Sequence, residues 1–222
     1  MDVYLEVGSK KVFAGGIDWP GWCRTGKDEA SALQALLAYA PRYVKIVGGT
    51  SLGFSPPADV SQLVVVERLK GGKTTDFGAP EAAPPSDSEP LDSDSLQRFR
   101  VLLEAAWRAF DEAVQAAAGK ELRLGPRGGG RDLDGIVRHV MEAEAAYLHS
   151  MASRYKVNHD RPLKDEMNKV RQAVLEALAS AQRGELPEKG PRGGVIWKPR
   201  YFVRRLAWHV LDHVWEIEDR IT

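Results

Sequence analysis

The sequence predicts a small α+β domain followed by an all-α four-helix bundle. Short runs rich in β-branched and aromatic residues occupy the first half, which is typical of strands. The second half carries four long stretches in which apolar residues recur at helical spacing. Between the two halves, residues 81–94 are rich in Pro, Ser and acidic residues, a composition typical of linkers. We therefore predict one domain at 1–80 and a second at 95–222.

The first domain is predicted to mix strands with one helix. The predicted elements are strands at 3–7, 10–19 and 62–69 and a helix from Asp28 to Ala40. Pro41 is expected to interrupt that helix, because proline lacks the backbone N–H and its ring clashes with the preceding turn. The two glycines at 71–72, followed by KTTDF, predict a hairpin.

Four amphipathic helices make up the second domain. They are predicted at 96–118, from about Asp132, from just after Asp160, and from about Pro199 to the end. Each presents one apolar stripe, which it has to bury against its neighbours. Four such helices of about 20 residues favour a four-helix bundle.

Composition excludes several classes of function. Lys+Arg and Asp+Glu balance at 31 each among 222 residues, so we expect no nucleic-acid partner. No apolar run approaches the roughly 20 residues of a membrane span, so no membrane partner is expected either. Cys23 is the single cysteine, and the N-terminus lacks a signal-peptide pattern, so we expect a cytoplasmic protein. Cys23 is expected to be a structural thiol.

Two histidines on the last predicted helix, in WHVLDH, are the first candidates for a site. His209 and His213 are four residues apart and fall on the apolar face, where two imidazoles about 6 Å apart can bind one ion. Such a pair also occurs by chance as two core histidines, and a third ligand would favour a metal site. The candidates for it are His139, His149 and His159. His149 faces away from the apolar stripe of its helix and His159 lies in a predicted loop, whereas His139 flanks the stripe and can reach a neighbouring helix.

Two acidic residues near these histidines leave alternatives open. Glu144 falls near the centre of an apolar face, where a carboxylate needs a partner. It is either a buried partner for Arg204 or Arg205, or it orients a histidine or acts as a catalytic base. Asp212 either orients one of the two histidines or forms an external salt bridge.

The sequence GPRGG occurs twice, at 125–129 and 190–194, just before the second and fourth predicted helices. Gly-Pro-Arg-Gly is ordinary loop composition. The alternative is that Arg127 and Arg192 help to bind an anionic ligand. The two loops share one end of an up-down-up-down bundle, and they lie at opposite ends if the connection between the second and third helices crosses the bundle.

Two tryptophans, Trp208 and Trp215, lie on the last helix opposite the histidines. A bundle helix does not need two tryptophans on its outer face. This pattern predicts that either the N-terminal domain or a second subunit, as in a homodimer, covers them.

Residues 95–222 resemble the DinB-like (YfiT-like) superfamily. The likeness rests on VRHVMEAEAAYL in the second helix together with WHVLDH in the last. It implies a four-helix bundle, often connected up-down-down-up, with a divalent ion, Zn or Ni, held by His139, His209 and His213. It also implies a metal-dependent enzyme acting on a small-molecule substrate, either an S-transferase that uses a low-molecular-weight thiol or a hydrolase.

The segment DWPGWCRTGKDEASALQALL is similar to HicB-like domains, a likeness that covers about residues 1–50. Such domains are small α+β modules that cover a protein partner. The resemblance therefore implies an alternative function, in which the chain is a non-catalytic interaction or stress-response protein and its first half binds a partner.

Overall fold

The structure is a computed structural model that describes residues 1–124, 130–187, 189–190 and 194–222. The strands are β1 (Asp2–Val7), β2 (Val12–Gly16), β3 (Cys23–Gly26) and β4 (Val64–Lys70). The helices are α1 (Glu29–Val47), α2 (Lys73–Phe77), α3 (Ser93–Ala117), α4 (Leu133–Ser150), α5 (Leu163–Gln182) and α6 (Pro199–Arg220). The predicted fold class is confirmed, because a four-stranded sheet with helix α1 precedes a bundle formed by α3–α6. Within the described residues, no helix has the length and apolar character needed to cross a membrane.

The sheet has the order β3-β2-β1-β4, in which β1 pairs antiparallel with β2 and parallel with β4. Successive side chains of a strand point to opposite faces. Val3 and Leu5 accordingly belong to one hydrophobic cluster with Leu36 of α1, whereas Tyr4 packs in a second cluster with Trp208 of α6. The sheet is therefore covered by α1 on one face and by α6 on the other.

Two predictions for the first domain were wrong. Helix α1 does not end at Pro41 but continues to Val47, because Tyr43, Ile46 and Val47 are buried beyond it. The segment KTTDF forms helix α2 rather than a hairpin. The Thr75 hydroxyl accepts a hydrogen bond from the Gly72 backbone N–H at the start of α2 and donates one to buried Glu6.

Contacts at the helix ends fix the directions of α3, α4 and α6. Arg200 at the start of α6 donates to Ser95 at the start of α3, with a distance of 2.8 Å, so these helices begin together. They also end together, because Leu122 and Ile221 form a β-bridge just beyond them. Helix α4 runs the opposite way, since the Trp197 N–H before α6 donates to the Ser150 carbonyl at the end of α4.

Helix α5 runs in the same direction as α4. Gln182 at the end of α5 contacts Ser93 at the start of α3. The bundle is therefore connected up-down-down-up, and residues 151–162 cross its length. The flanks of the two GPRGG segments lie at opposite ends of α6. Arg127 and Arg192 themselves lie outside the described residues.

The buried Arg204 side chain joins the two halves of the chain. Its Nε and Nη2 donate to the Asp87 carboxylate over 2.7 Å, and its Nη1 donates to the Gly16 carbonyl over 2.8 Å. Asp87 lies in the short 3-10 helix Pro85–Ser88 and is 3% exposed, so this part of the predicted linker packs between α6 and the sheet.

The N-terminal half covers both tryptophans of α6, which confirms one of the two predicted arrangements. The Trp208 ring packs edge-on against Phe13 with 6.3 Å between centroids, and Trp215 packs against Tyr39 at 5.0 Å. The approach is close at Gly21, where φ is +91° and a Cβ atom would lie 2.8 Å from Leu211. Glycine is required at this turn on both counts.

Breaking the Arg204–Asp87 pair is expected to destabilise the whole chain. Replacing Asp87 by Asn leaves a buried guanidinium without its counter-charge, and we expect a loss of about 3 kcal/mol in the free energy of unfolding. Urea denaturation measures this loss. Glu89→Gln is the control, because Glu89 lies in the same segment with its side chain 68% exposed. Equal effects of the two substitutions would contradict the proposed role of the pair.

Candidate metal centre

Two adjacent helices bring the site together. Helix α6 is buried on nearly all sides, so His209 and His213 are only 7% and 9% exposed although they are polar. Helix α4 packs antiparallel beside it and carries His139. The Asp132 side chain accepts a hydrogen bond from the Gly135 backbone N–H, which caps α4 and fixes where the helix begins.

The three histidines meet in one cluster. Each offers a ring nitrogen, and these nitrogens all lie within 4.8 Å of one another. The Nε2 atoms of His139 and His209 are 3.1 Å apart. The sequence-predicted set of His139, His209 and His213 is therefore assembled, whereas His149 and His159 are both exposed and do not belong to it.

The separation of two of the three nitrogens fits a shared metal ion, and it also fits a hydrogen bond between the two rings. Two imidazole nitrogens that bind one zinc ion at 2.0–2.1 Å are about 3.3 Å apart at a tetrahedral angle and about 2.9 Å apart at a right angle. The observed 3.1 Å between His139 and His209 lies between these values. Three neutral imidazoles are also the donor set of catalytic zinc sites that keep an open position, and imidazole suits nickel as well.

Glu216 determines which nitrogen of His213 is free. The Nδ1 atom of His213 lies 2.7 Å from a Glu216 carboxylate oxygen, so Nδ1 carries the proton and donates it, which leaves Nε2 as the metal-binding atom. Glu216 also accepts from Arg220, whose other N–H groups bind the carbonyls of Arg123 and Arg131. Our sequence analysis missed Glu216, although its position three residues after His213 on the same helix was a usable signal.

Burial favours the neutral form of His209 and of His139. It lowers the pKa of His209 to about 2, with the nearby His213 and His139 adding to the effect. Burial also lowers the pKa of His139. Neutral imidazole is the form that binds a metal ion. The Nδ1 atom of His209 is buried and has no hydrogen-bond partner in the described part of the chain.

Asp212 forms a salt bridge, which is one of the two roles that the sequence left open for it. Its carboxylate lies 2.9 Å from an Arg24 nitrogen in the N-terminal half. Arg24 also lies over the Tyr39 ring, 4.0 Å from the centroid. Among the described contacts, the acidic residue that binds a site histidine is Glu216 and not Asp212. Asp212 therefore ties α6 to the first domain.

Glu144 faces α3 rather than α6. At 100° per residue it lies about 140° around α4 from His139. One of its oxygens accepts a hydrogen bond from the Trp107 indole over 2.8 Å, and the other has no partner within the described residues. Neither Arg204 nor Arg205 pairs with it in the described structure, and burial raises its pKa to about 7. We assign Glu144 to the core of the bundle.

The thiol of Cys23 lies in a buried cluster with Tyr4, Phe13 and Trp208 and not among the site histidines. It is buried beside Tyr4, whose hydroxyl lies 3.6 Å from the sulfur. Burial raises the pKa of this thiol to about 12, so the thiolate that acts as a nucleophile does not form near neutral pH. The expectation of a structural thiol agrees with this environment.

Comparison of the chain with models of known families, with curated proteins and with solved structures finds no match in any of the three. The geometry of the residues is therefore the basis for interpreting the site. It defines a cluster of three histidines close enough together to bind a metal ion.

Ionising Glu144 is expected to destabilise the folded chain. Below about pH 4.5 its carboxyl is protonated in both the folded and unfolded states, so it does not affect stability. As the pH rises to about 7, the carboxyl ionises in the unfolded state first, because burial raises its pKa to about 7 in the folded state. The free energy of unfolding therefore falls over this range. Glu144→Gln keeps an acceptor for Trp107 and never ionises. At pH 8 this variant is expected to be more stable than the wild type by up to about 3 kcal/mol, at 1.36 kcal/mol per pKa unit.

Urea denaturation at pH 4.5 and pH 8 checks this prediction. The difference between Glu144→Gln and the wild type should be present at pH 8 and absent at pH 4.5. Glu104→Gln, at an exposed position of α3, is the control and should show no such change with pH. The same difference at both pH values would show that the carboxyl has an ordinary pKa.

Proposed function

We propose that this protein is a divalent-metal-dependent enzyme of the DinB-like type, which uses a low-molecular-weight thiol to modify a small-molecule substrate. The observation that carries the proposal is the cluster of His139, His209 and His213, whose ring nitrogens lie within 4.8 Å of one another. Burying the rings of His209 and His213 is unfavourable unless they share hydrogen bonds or a ligand. A divalent ion bound by all three satisfies them at once.

Two further features support the DinB-like assignment. The bundle is connected up-down-down-up, as the resemblance implies, and the histidines come from its second and last helices. The rest of the chain contributes to the site indirectly. The N-terminal half packs on the outer side of α6 through Trp208 and Trp215, which leaves the histidine side of the helix to α4.

The chain's own residues prepare the site for an ion with a free position. Three neutral ligands do not cancel the charge of a divalent ion, and they leave at least one position open. Such an ion acts as a Lewis acid and lowers the pKa of a thiol or a water molecule that it binds. Glu216 holds His213 in the required tautomer, and Arg220 holds Glu216 in place. Both thiol transfer and hydrolysis need these conditions, and the family resemblance favours the thiol.

Removing one histidine is expected to abolish stoichiometric metal binding. The purified wild type should bind one Zn²⁺ or Ni²⁺ per chain and melt at a higher temperature when the ion is added. His209→Ala and His213→Ala should each weaken binding by at least about 100-fold, because they remove a ligand outright. His149→Ala, an exposed histidine of α4, is the control and should bind as the wild type does.

Elemental analysis and thermal melts in the metal-free and metal-loaded forms make these measurements. The metal-free melts also show whether each variant is folded. The metal proposal fails if the wild type carries no ion and neither Zn²⁺ nor Ni²⁺ changes its melting temperature.

A separate experiment tests the thiol. In Co²⁺-loaded protein, binding of sulfur to the ion produces a charge-transfer absorption that oxygen ligands do not give. Adding cysteine or glutathione should produce this absorption, whereas serine should not. Cys23→Ser should behave as the wild type, because Cys23 is buried elsewhere. Metal binding without any response to thiols would contradict the S-transferase and leave the hydrolase.

A further inference from the structure

Arg205 is a positive charge without a carboxylate partner beside the candidate metal centre. It lies one helical turn before His209 on α6, in the same row of side chains as His209 and His213. Its Nη1 atom is buried and has no hydrogen-bond partner among the described residues, and none of the salt bridges described there involves it. The neighbouring Tyr147 hydroxyl interacts with Arg205, but burial raises the pKa of this hydroxyl, so it stays neutral and does not balance the charge.

The adjacent arginine shows what a structural arginine looks like in this helix. Arg204 donates to both oxygens of Asp87 and to the carbonyls of Gly16 and Ile17. A buried cation is normally compensated in this way, because leaving it unpaired is costly. Arg205 is partly exposed, and it has aromatic rings but no carboxylate beside it among the described residues. Its charge is therefore free to pair with an anion that is not part of the chain.

Aromatic rings surround Arg205 and continue to the metal centre. Its guanidinium carbon lies 4.5 Å from the Trp208 ring centroid and 5.7 Å from that of Tyr147. The Tyr147 ring lies 5.3 Å from Trp197 and 5.8 Å from His209. We call Tyr147 and Trp197 the aromatic wall; Trp208 packs against the guanidinium from the side of the N-terminal half. Trp197 and Tyr147 are both partly exposed, so the wall is open on one side.

We propose that Arg205 and the aromatic wall form a subsite for the carboxylate end of a small, planar organic acid. A guanidinium binds a carboxylate through two parallel hydrogen bonds, and flat apolar surfaces favour a flat, unsaturated or aromatic body. This assignment rests on the proposed function and extends it by naming the substrate class.

The helix spacing places the subsite next to the metal centre. Arg205 and His209 are four residues apart, so their backbone positions differ by about 6 Å along α6. A small acid whose carboxylate binds Arg205 therefore extends along α6 toward the histidines. Arg131 adds a second positive charge near His209 and favours an anion in the same region.

Benzoate and its neutral analogue benzamide test the subsite, because they differ in charge and share their shape. The zinc-loaded wild type should bind benzoate more tightly than benzamide in a calorimetric titration. Arg205→Met, which retains much of the side chain's apolar volume, should weaken benzoate binding by about tenfold or more. The same variant should weaken neither zinc binding nor benzamide binding, and in benzoate affinity Arg205→Lys should fall between Arg205→Met and the wild type.

Arg108→Met is the matched control, because it removes one positive charge from an exposed position of α3. Equal losses of benzoate affinity in Arg108→Met and Arg205→Met would overturn the subsite, as would no preference for benzoate over benzamide. The titrations are repeated on metal-free protein. Absence of zinc binding would overturn the proposed function. The subsite would still be decided by the metal-free protein, which should prefer benzoate to benzamide and should lose that preference in Arg205→Met.

Discussion

The position of α6 depends on the buried ion pair between Arg204 and Asp87. Arg204 reaches from the bundle into the first domain, where it also binds the carbonyls at the end of β2. A fully compensated buried cation fixes geometry more strictly than apolar contact does, because a small shift leaves charges unpaired. The contacts of Trp208 and Trp215 with the N-terminal half add apolar area around this fixed point. Helix α6 is consequently packed by the first domain on one side and by the bundle on the other.

That packing explains how histidines can lie where apolar residues are expected. The side of α6 that faces α4 is closed to water over most of its length, and His209 and His213 lie within it. Water has little access to their rings there, so hydrogen-bond partners have to come mainly from the protein or from a ligand. His213 has Glu216, whereas the Nδ1 atom of His209 has no described partner. The first domain thus contributes to the site without supplying a ligand, since it closes the outer side of the helix that carries two of them.

Periodicity was enough to predict the helices of the bundle and the buried positions of His209 and His213, and the family resemblance implied His139 as the third member of the cluster. The helices and the two buried positions follow from local rules, because residues three or four apart share a helix face and a polar residue on an apolar face needs a reason. Elements stabilised by distant contacts were not predictable in this way. Helix α1 continues through Pro41 because Tyr43 is buried against the DWPGW turn, where its hydroxyl donates to the Pro20 carbonyl. Asp87 looked like a linker residue, since its partner Arg204 lies 117 positions away.

The central claim is that one metal ion binds His139, His209 and His213 together. X-ray absorption spectroscopy of the zinc-loaded protein tests this most directly, because it counts imidazole rings around the ion and separates nitrogen from sulfur ligands. The account predicts nitrogen or oxygen ligands at about 2.0–2.1 Å, with the outer-shell scattering of three imidazoles. A sulfur ligand at about 2.3 Å would contradict it, and the single cysteine, Cys23, would be the source of that sulfur. Scattering from only one imidazole would contradict it as well.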